Sequence, residues 1–161
     1  MTGRTKIGFV GLGIMGNPMA SHLIRGGHTL FLNSRSGVPA ELLMQGGQAC
    51  SSSAEVAQNA DIIITMLPNT DDVERVLFGD DGVAEGLSTA RSKGRIVMDM
   101  STISPAETRK FAEAINELGC EYVDAPVSGG DVGARNPTLT IMVGATPPAF
   151  EQLKSVLELM V

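Results

Sequence analysis

The sequence predicts an α/β fold, a doubly wound, mostly parallel sheet with helices on both faces. Three observations carry that reading. Short apolar runs alternate with amphipathic segments of about ten to fifteen residues along the whole chain, the pattern of parallel strands joined by crossover helices. One of the runs, Ile62–Met66, is continuous, β-branched and apolar, as a strand buried on both faces must be. Glycine accounts for 19 of the 161 residues, and glycines fall where the helical patterns stop. The length corresponds to about one domain, large enough to bury roughly two thirds of its unfolded surface without metal or disulfide support. No linker, repeat or low-complexity stretch divides it.

Taken in order, Lys6–Val10 is a buried strand, followed by a glycine-rich turn and a helix over Met15–Arg25 that Gly26-Gly27 terminates. Thr29–Asn33 is the second strand, Val38–Gln45 the second helix, stopped by Gly46-Gly47, and Gln48–Ser51 a short third strand. Ser52 can cap a short helix reaching Asn59, Ile62–Met66 is the fourth strand, and Thr70–Leu77 is helical. Arg95–Met100 is the fifth strand. Ser104-Pro105-Ala106-Glu107 is a strong helix start, with Ser104 as cap, Pro105 at the first helical position and Glu107 completing a capping box; this helix ends near Leu118, before Gly119. Glu121–Asp124 and Thr138–Val143 are further strands, and Thr146-Pro147-Pro148 opens a last helix that reaches the chain end.

Charge and cysteines narrow the function classes. There are 12 Lys+Arg against 18 Asp+Glu, a formal charge of −6, which argues against nucleic acid or an anionic membrane as partner, since both select clustered cations. Every apolar run is far shorter than the ~20 residues that span a bilayer. The first residues, with Arg4 and Lys6 before an apolar stretch, mimic a signal peptide, but glycines at 8, 11, 13 and 16 make a poor apolar helix. Cys50 and Cys120 belong to no metal-ligand or redox spacing and are expected to be reduced, in a cytoplasmic protein.

Gly11-Leu12-Gly13-Ile14-Met15-Gly16 is a GxGxxG that directly follows a strand and opens a helix, the context of the dinucleotide fingerprint in a Rossmann-type fold. Gly11 allows the tight turn, Gly13 lets the backbone approach a pyrophosphate, and Gly16 lets helix and strand pack closely; the helix N-terminus then favours the phosphates. An NAD-preferring site usually carries an acid ~20 residues further on. Here that place holds Asn33-Ser34-Arg35-Ser36, without one. Arg35 can pair with a 2′-phosphate and stack on adenine, so NADP is the expected cofactor, with NAD the alternative. Three further loops follow strand C-termini, where ligands sit in such sheets: Met66-Leu67-Pro68-Asn69, Met100-Ser101-Thr102-Ile103 and Asp124–Gly130. Thr102 can present a hydroxyl to the cofactor, and Ser128-Gly129-Gly130 a hydroxyl and open backbone N–H groups to a carboxylate. Met15 and Met19 read as core packing, His22 as solvent-facing on its helix, His28 as lying at the mouth of the second strand, and Asp71-Asp72 as acids favoured at a helix start.

Together GFVGLGIMGNPMASHLIRGGH (8–28), DIIITMLPN (61–69), DMSTISP (99–105), DAPVSGG (124–130) and TLTIMVGA (138–145) resemble the β-hydroxyacid dehydrogenase family, whose order and spacing they follow over nearly the whole chain. Within it the sequence looks closest to 2-hydroxy-3-oxopropionate (tartronate semialdehyde) reductases, then 3-hydroxyisobutyrate dehydrogenases. The resemblance implies that Gly8–His22 wraps the pyrophosphate, that Leu67 and Pro68 contact the adenosine-side ribose and phosphates, that Thr102 lies near the nicotinamide ribose, and that Ser128, Gly129 and Gly130 hold the substrate carboxylate. It implies reversible hydride transfer to or from a small 3-hydroxy acid or semialdehyde, in a homo-oligomeric full-length protein. The family's proton-transfer Lys stands in a GxGxxxKxxxN segment on a following helix. The present sequence stops at Val161 short of that segment and of the all-helical domain beyond it, so the expectation is a cofactor domain that binds without turnover, the alternative being a non-catalytic NADP-binding module or sensor. Asn136-Pro137-Thr138 departs from the Gly-Thr common in the family.

Overall fold

The computed structural model describes residues 4–161, apart from the side chain of residue 90. Strands β1 (Lys6–Val10), β2 (Thr29–Asn33), β3 (Gln48–Ala49), β4 (Ile62–Thr65), β5 (Ile96–Asp99) and β6 (Glu121–Asp124) form one six-stranded sheet in the order β3-β2-β1-β4-β5-β6, with every pairing parallel. The helices are α1 (Gly16–Arg25), α2 (Ala40–Met44), α3 (Ser53–Asn59), α4 (Thr70–Phe78), α5 (Val83–Gly86), α6 (Pro105–Glu117), α7 (Gly130–Arg135) and α8 (Pro147–Leu157). A two-stranded antiparallel ribbon, β7 (Val127–Ser128) with β8 (Thr140–Ile141), stands apart from the main sheet.

The sheet is buried on both faces, which is why β4 reads as an unbroken apolar run. One face carries Phe9, Leu32 and Ile64, packed with Met19 and Leu23 of α1 and Leu153 of α8. The other carries Val10, Ile63 and Val97, packed with Val56 of α3, Leu77 of α4 and Phe111 of α6. Fully burying a side chain of this kind contributes about 1.5–3 kcal/mol relative to exposure, so the helices gain their stability mostly from this packing.

Register positions the site. Val10 is opposite Asn33 on one side and Thr65 on the other, Thr65 is opposite Asp99, and Asp99 opposite Asp124. The strands therefore end in line, and the loops that follow them share one edge of the sheet. Chain direction across the sheet reverses between β1 and β4, the switch point beside which open α/β sheets bind ligands.

Four departures from the sequence reading have physical causes. Thr138–Val143 contributes no seventh parallel strand. Only Thr140–Ile141 pairs, antiparallel to Val127–Ser128, and Gly144 exchanges hydrogen bonds with Asp124. The segment after β6 thus folds back along the strand it follows. Residues 130–135, where the sequence reading has only a loop as far as Gly130, form α7, whose glycine-rich sequence hides a helix. His22 of α1, expected to face solvent, is half-buried, with Nε2 2.8 Å from the carbonyl of Ala134, to which it donates. The short α5 had no visible apolar period. Ends also shift by a few residues, α8 stopping at Leu157 rather than at the chain end.

The Ser52 and Ser104 caps fold as written, Asn69 and Thr146 cap two further helices, and only the Ser104 box is incomplete. The side chains of Ser52, Asn69, Ser104 and Thr146 accept the N–H of Glu55, Asp72, Glu107 and Ala149. At Ser104 the box is half-formed: its own N–H donates to Thr70 Oγ1 (3.2 Å), while Glu107 pairs with Lys110 (3.3 Å).

Candidate functional site

A cleft of about 650 Å³ opens at the switch point, lined by 10–16, 33–36, 51–53, 66–68, Asp72, Arg75, Val76 and 80–82. Each fingerprint glycine has a distinct physical job there. Gly11 has φ +100, and a Cβ on it would lie 2.2 Å from the carbonyl oxygen of Met66. A Cβ on Gly16 would lie 1.8 Å from the Gly11 carbonyl oxygen. A Cβ on Gly13 would meet nothing within 4 Å of protein, so it would stand in the cleft itself. The floor above α1 is thus kept clear, beside the unsatisfied amides of a helix N-terminus. Ile14, 76% exposed, is the apolar side chain most open to that space.

The loops around the cleft are tied to the strands that end beneath them. The Gly11 N–H donates to Asn33 O (3.1 Å), Asn33 Nδ2 donates to Cys50 O (3.0 Å), and the Leu12 N–H reaches Ser34 Oγ at 3.5 Å. On the other wall the Leu67 N–H donates to Ser101 Oγ (2.8 Å). Ser101 is in turn held by Asp99, whose Oδ1 accepts the Ser101 N–H (3.1 Å) and the Thr65 hydroxyl (2.9 Å). Asp99 is fully buried. Burial raises its carboxyl above the ordinary carboxylate value, the hydrogen bonds from Ser101 and Thr65 oppose this, and the charge of Asp124 adds to it. Burial also raises Asp124. Asp99 Oδ2 and the Tyr122 hydroxyl are buried without hydrogen-bond partners, and burial and then the two carboxylates raise the phenol as well.

Among the residues picked from sequence, Gly11, Leu12, Gly13, Ile14, Met15, Gly16, Asn33, Ser34, Arg35, Met66, Leu67 and Pro68 all line this one cleft. Thr102, Ser128, Gly129 and Gly130 do not. They are exposed further along the same edge, after β5 and in the β7–α7 segment, and Gly129 and Gly130 have φ +135 and +61. Met19 is core, and Met15 packs against the core while lining the cleft. His28 Nδ1 accepts the Thr5 N–H at 3.1 Å. Cys50 and Cys120 are free thiols.

Sequence reasoning missed the outer wall: Ser51–Ser53, Asp72, Arg75, Val76 and 80–82. Arg35 and Arg75 both donate to Asp72 Oδ1, each at 2.9 Å. The available signal was that α4 follows the Met66–Asn69 loop, so Asp72 and Arg75, at i and i+3, share a face on an element that starts at the cleft.

Residues 6–161 match the family described as the NAD binding domain of 6-phosphogluconate dehydrogenase. The chain belongs to that family. This NAD(P)-binding domain is 48% identical over 155 residues to 2-hydroxy-3-oxopropionate reductase of Escherichia coli (strain K12), covering 96% of the chain and 52% of that protein. Its fold superposes on a 3-hydroxyisobutyrate dehydrogenase of Mycobacterium tuberculosis with L-serine at a TM-score of 0.87 and 33% identity, covering 99% of this chain and 53% of that one. It also superposes on Psf3 in complex with NADP+ and 2-OPP, at a TM-score of 0.84 and 27% identity over 96% and 54% of the two chains. The NAD(P)-binding domain thus spans about half the length of the relatives it matches. Among the described residues no helix is long and apolar enough to cross a membrane.

Proposed function

We propose that this chain is the cofactor half of an NADP-dependent β-hydroxyacid dehydrogenase, acting on a small 3-hydroxy acid or its semialdehyde, of which tartronate semialdehyde is the model substrate. The observation that carries the proposal is Gly13: the one fingerprint glycine whose missing side chain leaves cleft, not protein, empty. A dinucleotide fits there, with its pyrophosphate on the α1 N-terminus, its adenosine between Leu67, Pro68 and the Asn33–Ser36 loop, and a 2′-phosphate at Arg35. When bound, the cofactor supplies or accepts a hydride at its nicotinamide ring.

The chain's own residues bind and orient. Thr102 faces the nicotinamide ribose, and Ser128 with the Gly129 and Gly130 backbone holds the substrate carboxylate, as the family likeness suggests and as their exposure on the same sheet edge supports. The family resemblance puts the proton-transfer Lys in a GxGxxxKxxxN segment, which residues 1–161 do not contain. Residues 1–161 alone therefore bind cofactor without turnover. A dinucleotide module without chemistry is the competing reading.

Fluorescence titration with NADPH and NADH tests binding, with tartronate semialdehyde reduction assayed in parallel. Saturable NADPH binding, absent in Gly13→Val, with no NADPH consumption, is the expected result. Turnover by residues 1–161 at the rate of complete enzymes would sink the division of labour. For the protein carrying its full C-terminal sequence, turnover supports the dehydrogenase and its absence the module.

A further inference from the structure

We propose that Arg75 is a second specificity-determining residue for the cofactor's 2′-phosphate, reaching it from α4 opposite Arg35. This rests on the NADP reading above and extends it to a residue outside the fingerprint. Arg35 leaves the loop after β2 and Arg75 stands on α4, yet both guanidinium groups donate to the same Oδ1 of Asp72, at 2.9 Å each. The Asp72 side chain is 14% exposed, whereas those of Arg35 and Arg75 are 77% and 59% exposed. Asp72 is further fixed by its N–H, which donates to Asn69 Oδ1 at 2.9 Å. A held carboxylate oxygen thus brings two exposed cations from different elements onto a single anionic oxygen. Each guanidinium has five N–H donors and uses one on Asp72, leaving donors on both for the oxygens of a phosphate.

Charge decides that both are needed. Arg35 with Asp72 alone is a neutral pair, and Asp80 and Asp81 line the same cleft. Arg35 and Arg75 are the only cations lining it among the described residues. A phosphate dianion that met Arg35 alone would face three carboxylates with one opposing charge; Arg75 makes that two, and takes the cluster around Asp72 from neutral to one net positive charge. An isolated i,i+3 pair on a helix surface would contribute little and select nothing. This pair is shared with a residue far away in sequence, at the mouth of a nucleotide cleft.

The test is titration of NADPH and NADH into the wild type, Arg35→Ala and Arg75→Ala, with thermal unfolding as a fold control. Loss of a charge-assisted hydrogen bond weakens binding by roughly tenfold or more, so Arg75→Ala should lose at least that for NADPH and about nothing for NADH. Arg75→Gln should give the same pattern, and carries the test if the alanine variant does not fold. Equal losses for both cofactors, or no loss for either while Arg35→Ala still selectively weakens NADPH, would overturn the role of Arg75 and leave the NADP reading standing. A wild type that binds NADH as tightly as NADPH overturns the NADP reading itself, and the inference with it.

Discussion

At the residue scale the fingerprint glycines separate binding from folding. Gly13→Val places a side chain in open cleft, so its unfolding temperature should match the wild type while NADPH binding is abolished. Gly16→Ala places a Cβ 1.8 Å from the Gly11 carbonyl oxygen, so backbone must move, and overpacking of this kind typically costs about 1–3 kcal/mol. Denaturant unfolding of the two variants should therefore rank them in the opposite order from a binding assay, and a Gly13→Val as unstable as Gly16→Ala would refute the assignment. The close packing at Gly11 and Gly16 was readable in the sequence because the motif fixes which backbone atoms approach. The Arg35–Asp72–Arg75 cluster was not readable. Asp72 looked like an ordinary acid at a helix start, and only the fold brings the loop after β2 against α4.

At the element scale, α4 is the wall that carries Asp72 and Arg75, and Asn69 holds its first turn. Asn69→Ala removes the side chain that accepts the Asp72 N–H, which should cost about 1 kcal/mol of stability and weaken NADPH binding as the cationic pair loses its anchor. A denaturant curve and a titration on one preparation check both. Asp99 plays the corresponding part for the sheet, tying β4 and β5 to the Met66–Pro68 loop. Its carboxyl is raised in the folded state above its ordinary value of 3.8, so between those two values the folded chain binds more protons than the unfolded one. The stability it contributes is complete below about pH 4 and is lost as pH rises through the folded value. Asp99→Asn has no such proton to lose. The unfolding free energy of the wild type should fall relative to that of Asp99→Asn as pH rises above about 4, and parallel profiles would refute the assignment. The elements themselves were legible where capping or buried periodicity marks them, as at Ser104-Pro105 and Ile62–Thr65. The helix α7 and the ribbon β7–β8 were not, because Gly129, Gly130 and Gly133 write a turn, while what holds the segment is tertiary: His22 on Ala134, Met160 on Leu139 and Pro126 on Met142.

At the scale of the whole molecule, binding and folding are linked, and the proposed function can be read from stability alone. The cleft is lined by the ends of β1, β2 and β4, the starts of α1 and α3, and α4 with the turn that follows it, so a dinucleotide held there engages the folded state and finds no equivalent in the unfolded chain. At a free concentration one hundred times its Kd, such a ligand stabilises by about 2.7 kcal/mol. For a domain of this length, 161 residues, each kcal/mol moves the unfolding midpoint by about 2–4 °C, so NADPH should raise it by roughly 5–10 °C. NADH at the same concentration should raise it less, because it lacks the group that Arg35 and Arg75 face. Gly13→Val should show no shift with either, since its fold is intact and its cleft is filled. A thermal scan of the wild type and this variant with both cofactors distinguishes a folded domain that merely carries glycines from one that uses them. An unmoved wild-type midpoint at millimolar NADPH would mean that the open space above Gly13 holds some other ligand.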